Sequence, residues 1–224
     1  MDEVDLYDAL LTTRAMRRFS DEPVDREAIE ACLRAAVQAP SGGNIQPWHF
    51  VVVDEPAIRT QLADLYRRCY ERYERAMLPT ATAHRSPEDE ASWNRTVGAA
   101  HHLAEHFHEV PVVVAVCVAG IDLTLTDEHG PLDIGSVLGS VFPAIQNFML
   151  AARSFGLGTS LTTVHRIEQQ ACRDILGVPA HQQIVALLPV GHPLGRWGVA
   201  RRKPAEKVTS WNRWGNREAF SPID

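Results

Sequence analysis

No apolar run in this sequence is long enough to cross a bilayer. The longest lies around Val110–Val118, well short of the roughly 20 residues a spanning helix needs. The acidic start, Met1-Asp2-Glu3-Val4-Asp5, lacks the apolar core of a secretory signal. Cysteine is scarce: Cys32, Cys69, Cys117 and Cys172 form no CxxC pair, and each sits in an apolar pattern. They are expected to be reduced core thiols. Positive charge is not in excess either, with 22 Lys and Arg against 28 Asp and Glu, a net charge of −6. That argues against a sequence-independent nucleic-acid binder. There is no internal repeat and no low-complexity tract. The expectation is a cytoplasmic protein with neither a membrane nor a nucleic-acid partner.

Three signatures of other chemistries are also missing. Gly135-Ser136-Val137-Leu138-Gly139 places its serine wrongly for a nucleophile elbow. Gly156-Leu157-Gly158 follows a helical pattern rather than a strand and lacks the third glycine of a dinucleotide fingerprint. His102 and His106 share a helix face, with His101 and His108 nearby, but no third ligand has suitable spacing, so no metal site is predicted.

What is present is an ordinary globular composition, 45% apolar and 22% charged over 224 residues, enough for one sizeable domain spanning 1–224. Periodicity predicts a helix from Val4 to Thr13 carrying Leu6, Leu10 and Leu11, and a second after the N-cap candidate Asp25. A buried strand is expected at Phe50–Val53, then a helix from Pro56 with a stripe of Ile58, Leu62, Leu65, Cys69 and Tyr73. From Met77 to Asn94 the pattern dissolves into Pro, Thr, His, Ser and acids, which reads as a mobile lid or excursion. A helix at Val97–Phe107 and a buried strand at Pro111–Val118 follow. Asp133 is expected to cap a long helix reaching Phe155, kinked or interrupted at Pro143, with Gly135 and Gly139 admitting a close backbone. Ser160–Val164 is extended, Glu168–Leu176 a short helix, Gln183–Val190 a third strand, and 194–224 a poorly periodic arm. Trp197, Trp211 and Trp214 in that arm need a surface to cover, either this domain's sheet or a partner subunit.

Two features suggest a ligand. Ala39-Pro40-Ser41-Gly42-Gly43-Asn44-Ile45-Gln46-Pro47-Trp48 combines permissive glycines with donors and acceptors suited to the edge of a flat heterocycle. Read without its context, it is equally an ordinary helix-to-strand loop. Arg14-Ala15-Met16-Arg17-Arg18-Phe19 and Arg201-Arg202-Lys203 gather positive charge on an acidic chain. The first serves either as dipole compensation at a helix end or as an anion clamp.

Taken in order, these segments resemble the FMN-dependent nitroreductase family. The resemblance rests on Arg14–Phe19, Ala39–Trp48, Ile145-Gln146-Asn147-Phe148-Met149-Leu150-Ala151-Ala152 running to Gly156-Leu157-Gly158-Thr159, Pro189-Val190-Gly191-His192-Pro193, and Arg201-Arg202-Lys203-Pro204. It implies an α+β fold with a central mixed or antiparallel sheet flanked by helices, in a homodimer whose C-terminal arms cross between subunits. It also implies two FMN sites at the interface, with NADPH or NADH as donor and a nitroaromatic or quinone-like substrate as acceptor. Relatives of the same fold fragment flavin, reduce enones or dehalogenate, and a non-catalytic FMN-binding protein is a further alternative.

The resemblance also names residues. The basic turn Arg14, Ala15, Met16, Arg17 and Arg18, with Arg201 and Arg202, would hold the phosphate. Pro40, Ser41, Gly42, Asn44 and Gln46 would meet the ring and ribityl edge, across the interface. Ser160, Leu161, Thr162 and Thr163 would present backbone N–H groups to the ring. No side-chain acid or base is required, so no catalytic residue is named. Ala15 stands where the family often has Ser, and Gly42 replaces a common second Ser. Leu103–His108 offers no match to the family's usual Asn and Lys, and Ala200 lies near a lost basic tail position.

Overall fold

Val112–Ala119 (β2) is almost wholly buried, as an unbroken apolar run demands of a strand covered on both faces. In this computed structural model, which describes residues 4–81, 87–120, 122–218 and 220, the elements run as follows. Helices α1 (Leu6–Thr12) and α2 (Arg26–Ala36) precede β1 (Trp48–Val53), and the long helices α3 (Pro56–Ala81) and α4 (Pro87–Glu105) precede β2. A hairpin, β3 (Asp122–Asp127) and β4 (Gly130–Ser136), leads to α5 (Leu138–Arg153). The short β5 (Gly158–Thr159), α6 (Gln169–Leu176) and β6 (Gln182–Gly191) follow.

The main sheet has the order β1-β2-β6-β5 with every neighbour antiparallel. Successive side chains of β2 therefore feed two cores. Val112, Val114, Val116 and Val118 pack with α2 and α5, while Val113, Ala115 and Cys117 pack with α3, α6 and Phe107. The register shifts by one residue at Val116/Cys117, leaving Val185 as the extra residue of a bulge. The fold is α+β, with helices on both faces of an antiparallel sheet. All four cysteines are buried and free. Burial pushes Cys32 and Cys172 up to about 12 and Cys117 up to about 11, so these thiols stay protonated.

Several expectations need correction. Asp133 lies in β4, not at a helix start: Gly130 at φ 117° closes a hairpin turn in which Asp127 Oδ1 accepts the His129 N–H at 2.8 Å. Helix α5 begins only at Leu138 and runs through Pro143 without ending. Gly135 sits in β4 and Gly139 in α5, and among the described residues no atom beyond the adjoining backbone lies within 4 Å of where either Cβ would be. β1 is an edge strand and only its last residue, Val53, is buried. The patternless stretch 77–94 is largely helical, its described parts belonging to α3 and α4, and residues 82–86 lie outside the described residues. Pro87 at the first helical position, followed by Glu88, Asp89 and Glu90, is a helix start: proline tolerates that position and acids suit the N-terminal dipole. Helix α1 forms as expected, but Leu6, Tyr7, Leu10 and Leu11 are exposed and only Ala9 and Thr12 are buried. In the arm, Trp197 lies against α5 with the Arg153 guanidinium 3.9 Å from its ring centroid, whereas Trp214 is fully exposed.

One buried polar group makes stability depend on pH. His165 is 0% exposed and its Nε2 lies 2.9 Å from the Ile184 carbonyl, so the neutral ring donates there. Burial, above all, pushes its pKa down to about 4. Above the ordinary value near 6.5 the ring is neutral folded and unfolded. As pH falls, only the unfolded chain takes the proton, and the loss saturates below about pH 4. At 1.36 kcal/mol per unit this amounts to about 3 kcal/mol. Urea unfolding of His165→Gln should therefore show a shallower fall in stability between pH 6.5 and 4.5 than wild type; parallel curves would refute the assignment.

Candidate active site

The basic turn behaves as an extra strand at one end of the sheet. Met16 N–H donates to Thr159 O at 2.8 Å, Ser20 N–H to His192 O at 2.9 Å, and Leu194 N–H to Arg18 O at 3.0 Å. Phe19 bridges Pro193 antiparallel. Two glycines make this approach possible. A Cβ on Gly158 would sit 2.9 Å from both Met16 Cβ and Pro193 Cβ, and one on Gly191 would sit 2.9 Å from Pro111 Cδ and 3.1 Å from Phe19 Cδ1. Met16 is buried as the wedge, and Arg14, Arg17 and Arg18 project around it.

These arginines line a cavity of about 760 Å³ together with Arg201 and Arg202 of the arm and Ser92, Arg95 and Thr96 of α4. Arg201 Nη1 is 2.7 Å from Glu88 Oε1, tying the arm to the first turn of α4. Arg14 Nη2 donates to Arg196 O at 3.2 Å. Among the described residues Arg14, Arg17, Arg18 and Arg202 take part in no ion pair. Guanidinium groups gathered without carboxylates repel one another and lower their energy by sharing an anion; their fork geometry suits phosphate oxygens.

Arg17 and Thr96 also line a second cavity, of about 310 Å³. Its walls are Tyr66, Tyr70, Tyr73, Glu74 and Met77 of α3, Trp93, Val97 and Ala100 of α4, and Ser160–Val164. The strand-like stretch at 160–163 has only part of its donors to spare. Ser160 N–H donates to Pro189 O at 3.3 Å and Thr162 N–H to Leu187 O at 3.0 Å, so only Leu161 and Thr163 can turn their amides away from β6. Tyr66 Oη and Thr162 Oγ1 are 3.0 Å apart, which fixes the phenol against this stretch. Burial, chiefly, raises the Tyr66 pKa.

The structure thus gathers Arg14, Ala15, Met16, Arg17, Arg18, Ser160, Leu161, Thr162, Thr163, Arg201 and Arg202 around two adjoining cavities. Pro40, Ser41, Gly42, Asn44 and Gln46 line neither of them. Their loop is anchored to α5 by the Gly42 N–H donating to Ser140 Oγ at 3.2 Å. Ser41 Oγ accepts the Gln46 N–H at 2.8 Å, and Gln46 Nε2 donates to Asn44 Oδ1 at 3.0 Å. Asn44 and Gln46 hold left-handed conformations at φ 56° and 48°, a strain of about 1–3 kcal/mol each that side chains with local hydrogen bonds tolerate best.

The aromatic wall was legible only in part. Tyr66, Tyr70 and Tyr73 stand four and three apart on α3, one helix face, yet of these only Tyr73 belongs to the apolar stripe read from sequence. The tryptophan and Glu74 became visible only once α4 folded back over α3. The histidines have other uses: His101 pairs with Glu74 and Glu105, and His106 with Glu109. Burial, followed by Arg18 nearby, holds His102 below the usual histidine range. Among the described residues no group of three or more His, Cys, Asp or Glu is placed to hold a metal ion.

Residues 10–192 match the family model described as "Nitroreductase family". A 5,6-dimethylbenzimidazole synthase from Rhodospirillum rubrum is 33% identical over 215 residues, 89% of this chain and 92% of that protein. Among solved structures, an oxidized iodotyrosine deiodinase bound to FMN and 3-iodo-L-tyrosine superposes with a TM-score of 0.70 at 21% identity, covering 94% of this chain and all of that one. An FMN- and NADPH-dependent nitroreductase, NfnB from a Sphigopyxis strain, gives 0.67 at 20% identity, with 94% and 100% covered.

The wedge predicts a cost. Gly158→Ala must displace Met16 or Pro193, and overpacking of this kind costs about 1–3 kcal/mol. Denaturant unfolding should show that loss, and a variant as stable as wild type would mean the turn is not pinned there.

Proposed function

Because the chain belongs to the nitroreductase family, we propose that it is an FMN-dependent oxidoreductase that carries hydride from NADPH or NADH to a nitroaromatic or quinone-like acceptor. The observation that carries this reading is the pair of adjoining cavities, one ringed by guanidinium groups and the other by aromatic rings, sharing Arg17. The residues present fit the cofactor. Arg14, Arg17, Arg18 and Arg202, which lack carboxylate partners among the described residues, would hold a phosphate bearing close to two negative charges. The spare amides of Leu161 and Thr163 would donate to the ring edge. Bound flavin supplies two-electron transfer between donor and acceptor. These donors and the Arg17 guanidinium, fixed beforehand, would stabilise negative charge at the ring edge without reorganising. Tyr and Trp faces exclude water from the neighbouring cavity and offer stacking to a flat acceptor.

The exposed loop with Pro40, Ser41, Gly42, Asn44 and Gln46 completes the site in a second copy of the chain, in a homodimer with exchanged C-terminal arms. The uncovered leucines of α1 and the exposed Trp214 support such a partner. The proposed location is the cytoplasm; no helix among the described residues is long and apolar enough to cross a membrane. A second reading, a same-fold enzyme that fragments flavin or dehalogenates, draws on the 33% identity to the synthase and the 26% identity to human iodotyrosine deiodinase 1.

A visible spectrum of the FMN-loaded protein separates these. A flavin band that bleaches anaerobically with NADPH or NADH and returns with a nitroaromatic supports the reductase. Irreversible loss of the reduced flavin in air supports the second reading, and absence of any flavin band rejects both. Arg17→Ala should raise the FMN Kd about ten- to a hundredfold, from loss of a charge-assisted contact of about 1.5–3 kcal/mol. Unchanged retention in fluorescence titration would remove Arg17 from the phosphate site.

A further inference from the structure

Among the described residues the aromatic cavity contains one carboxylate, and its surroundings leave that group with capacity to spare. Glu74 is, among the described residues, the sole acidic one lining it, together with Trp93, Tyr70 and Tyr73. Its nearest donors are Tyr70 Oη at 3.5 Å and His101 Nδ1 at 3.8 Å. Both exceed the roughly 2.5–3.0 Å of a well-made bond to a carboxylate, so most of its four acceptor positions remain open. The Glu74 side chain is 32% exposed, within reach of a ligand entering from outside.

Aromatic faces around a carboxylate attract positively charged nitrogen twice, through the ring quadrupoles and through the ion pair. Burial, and after it the Glu74 charge, pushes the Tyr70 phenol up to about 12, so Tyr70 remains a neutral donor. Arg17 belongs to both cavities but Glu74 only to this one, so the two charges set a polarity along it. A phosphate held by the guanidinium groups would neutralise Arg17 and leave Glu74, with the His101 ring 3.8 Å away, as the negative charge facing an acceptor.

We propose that this cavity selects electron acceptors whose aromatic ring carries a positively charged nitrogen, with Glu74 as the residue that reads that charge. The proposal rests on the flavin reading above for turnover, but not for binding. In this arrangement the ring stacks between Trp93 and the α3 tyrosines, its cationic substituent faces Glu74, and its reducible end faces Ser160–Thr163. Acceptors with a carboxylate at the same place are repelled.

The test uses the FMN-loaded full chain with three para-substituted nitrobenzenes: the benzyltrimethylammonium, the benzyl alcohol and the benzoate. The cation should exceed the benzoate at least tenfold in kcat/KM, chiefly through KM. Glu74→Gln should cut the cation-to-alcohol ratio at least tenfold, and Tyr73→Leu should lower it through the ring face alone. Calorimetry with benzyltrimethylammonium, which cannot be reduced, should show binding that Glu74→Gln weakens tenfold. Equal turnover of all three compounds, or a preference that survives Glu74→Gln, overturns the charge assignment while leaving the flavin reading intact. Glu74-dependent binding of the cation without any flavin turnover upholds it and defeats the flavin reading alone.

Discussion

The site depends on a main-chain contact: the Arg14–Ser20 turn strapped to the ends of β5 and β6. The strap is made of ordinary antiparallel hydrogen bonds, Met16 to Thr159, Ser20 to His192 and Leu194 to Arg18. Its closeness is possible because Gly158 and Gly191 carry no Cβ. A flexible loop could not hold several like charges side by side, because each long side chain would swing away toward water. Fixing the backbone by β-type pairing and burying Met16 as a wedge removes that escape. The repulsion among Arg14, Arg17 and Arg18 is thereby kept in place as an attraction for an anion. Sheet packing and ligand affinity are in this sense one problem.

Helix α4 is the second constraint, since it forms a wall of both cavities. Its Ser92, Arg95 and Thr96 face the guanidinium groups, and its Trp93, Val97 and Ala100 face the tyrosines. Its first turn is tied to the arm by Glu88 and Arg201, both well exposed, so the pair contributes little to stability, about 0–1 kcal/mol. Its consequence is competition. An anion that engages Arg201 must share it with Glu88, so loading the basic cavity loosens the tie between arm and helix. The arm has another hold on the domain, Trp197 under Arg153, which itself lies 3.6 Å from Asp8 of α1.

Much of this was legible in the sequence because the signals were local. The helix stripes, the apolar run of β2 and the basic turn all act over a few residues. What was not legible required knowing which surfaces meet. The stretch 77–94 looked like loop because its proline and acids are loop-rich residue types, although Pro87 followed by three acids also marks a helix start. The Asp133 helix start failed for the opposite reason. A lone acid before a helical pattern invites a cap reading, while the hairpin that claims it is defined by Gly130 and by pairing across strands. The leucines of α1 announced the helix correctly but not the direction of its apolar face.

That outward face bears on why the Ser41–Gln46 loop stands apart from the arginines. The loop is not slack: it is bonded to Ser140 and holds two non-glycine residues in left-handed conformations through a closed set of side-chain contacts. Such strain in an exposed segment fits the partner contact proposed above for this loop. Ile45 at its tip is 54% exposed, as are the α1 side chains Leu6 and Leu10 at 69% and 50%. Covering these apolar surfaces with a second copy would supply the energy that the strained loop costs. In the proposed homodimer, the polar groups of one chain's loop would then meet the guanidinium and aromatic cavities of the other, and each site would be complete only when both chains are present.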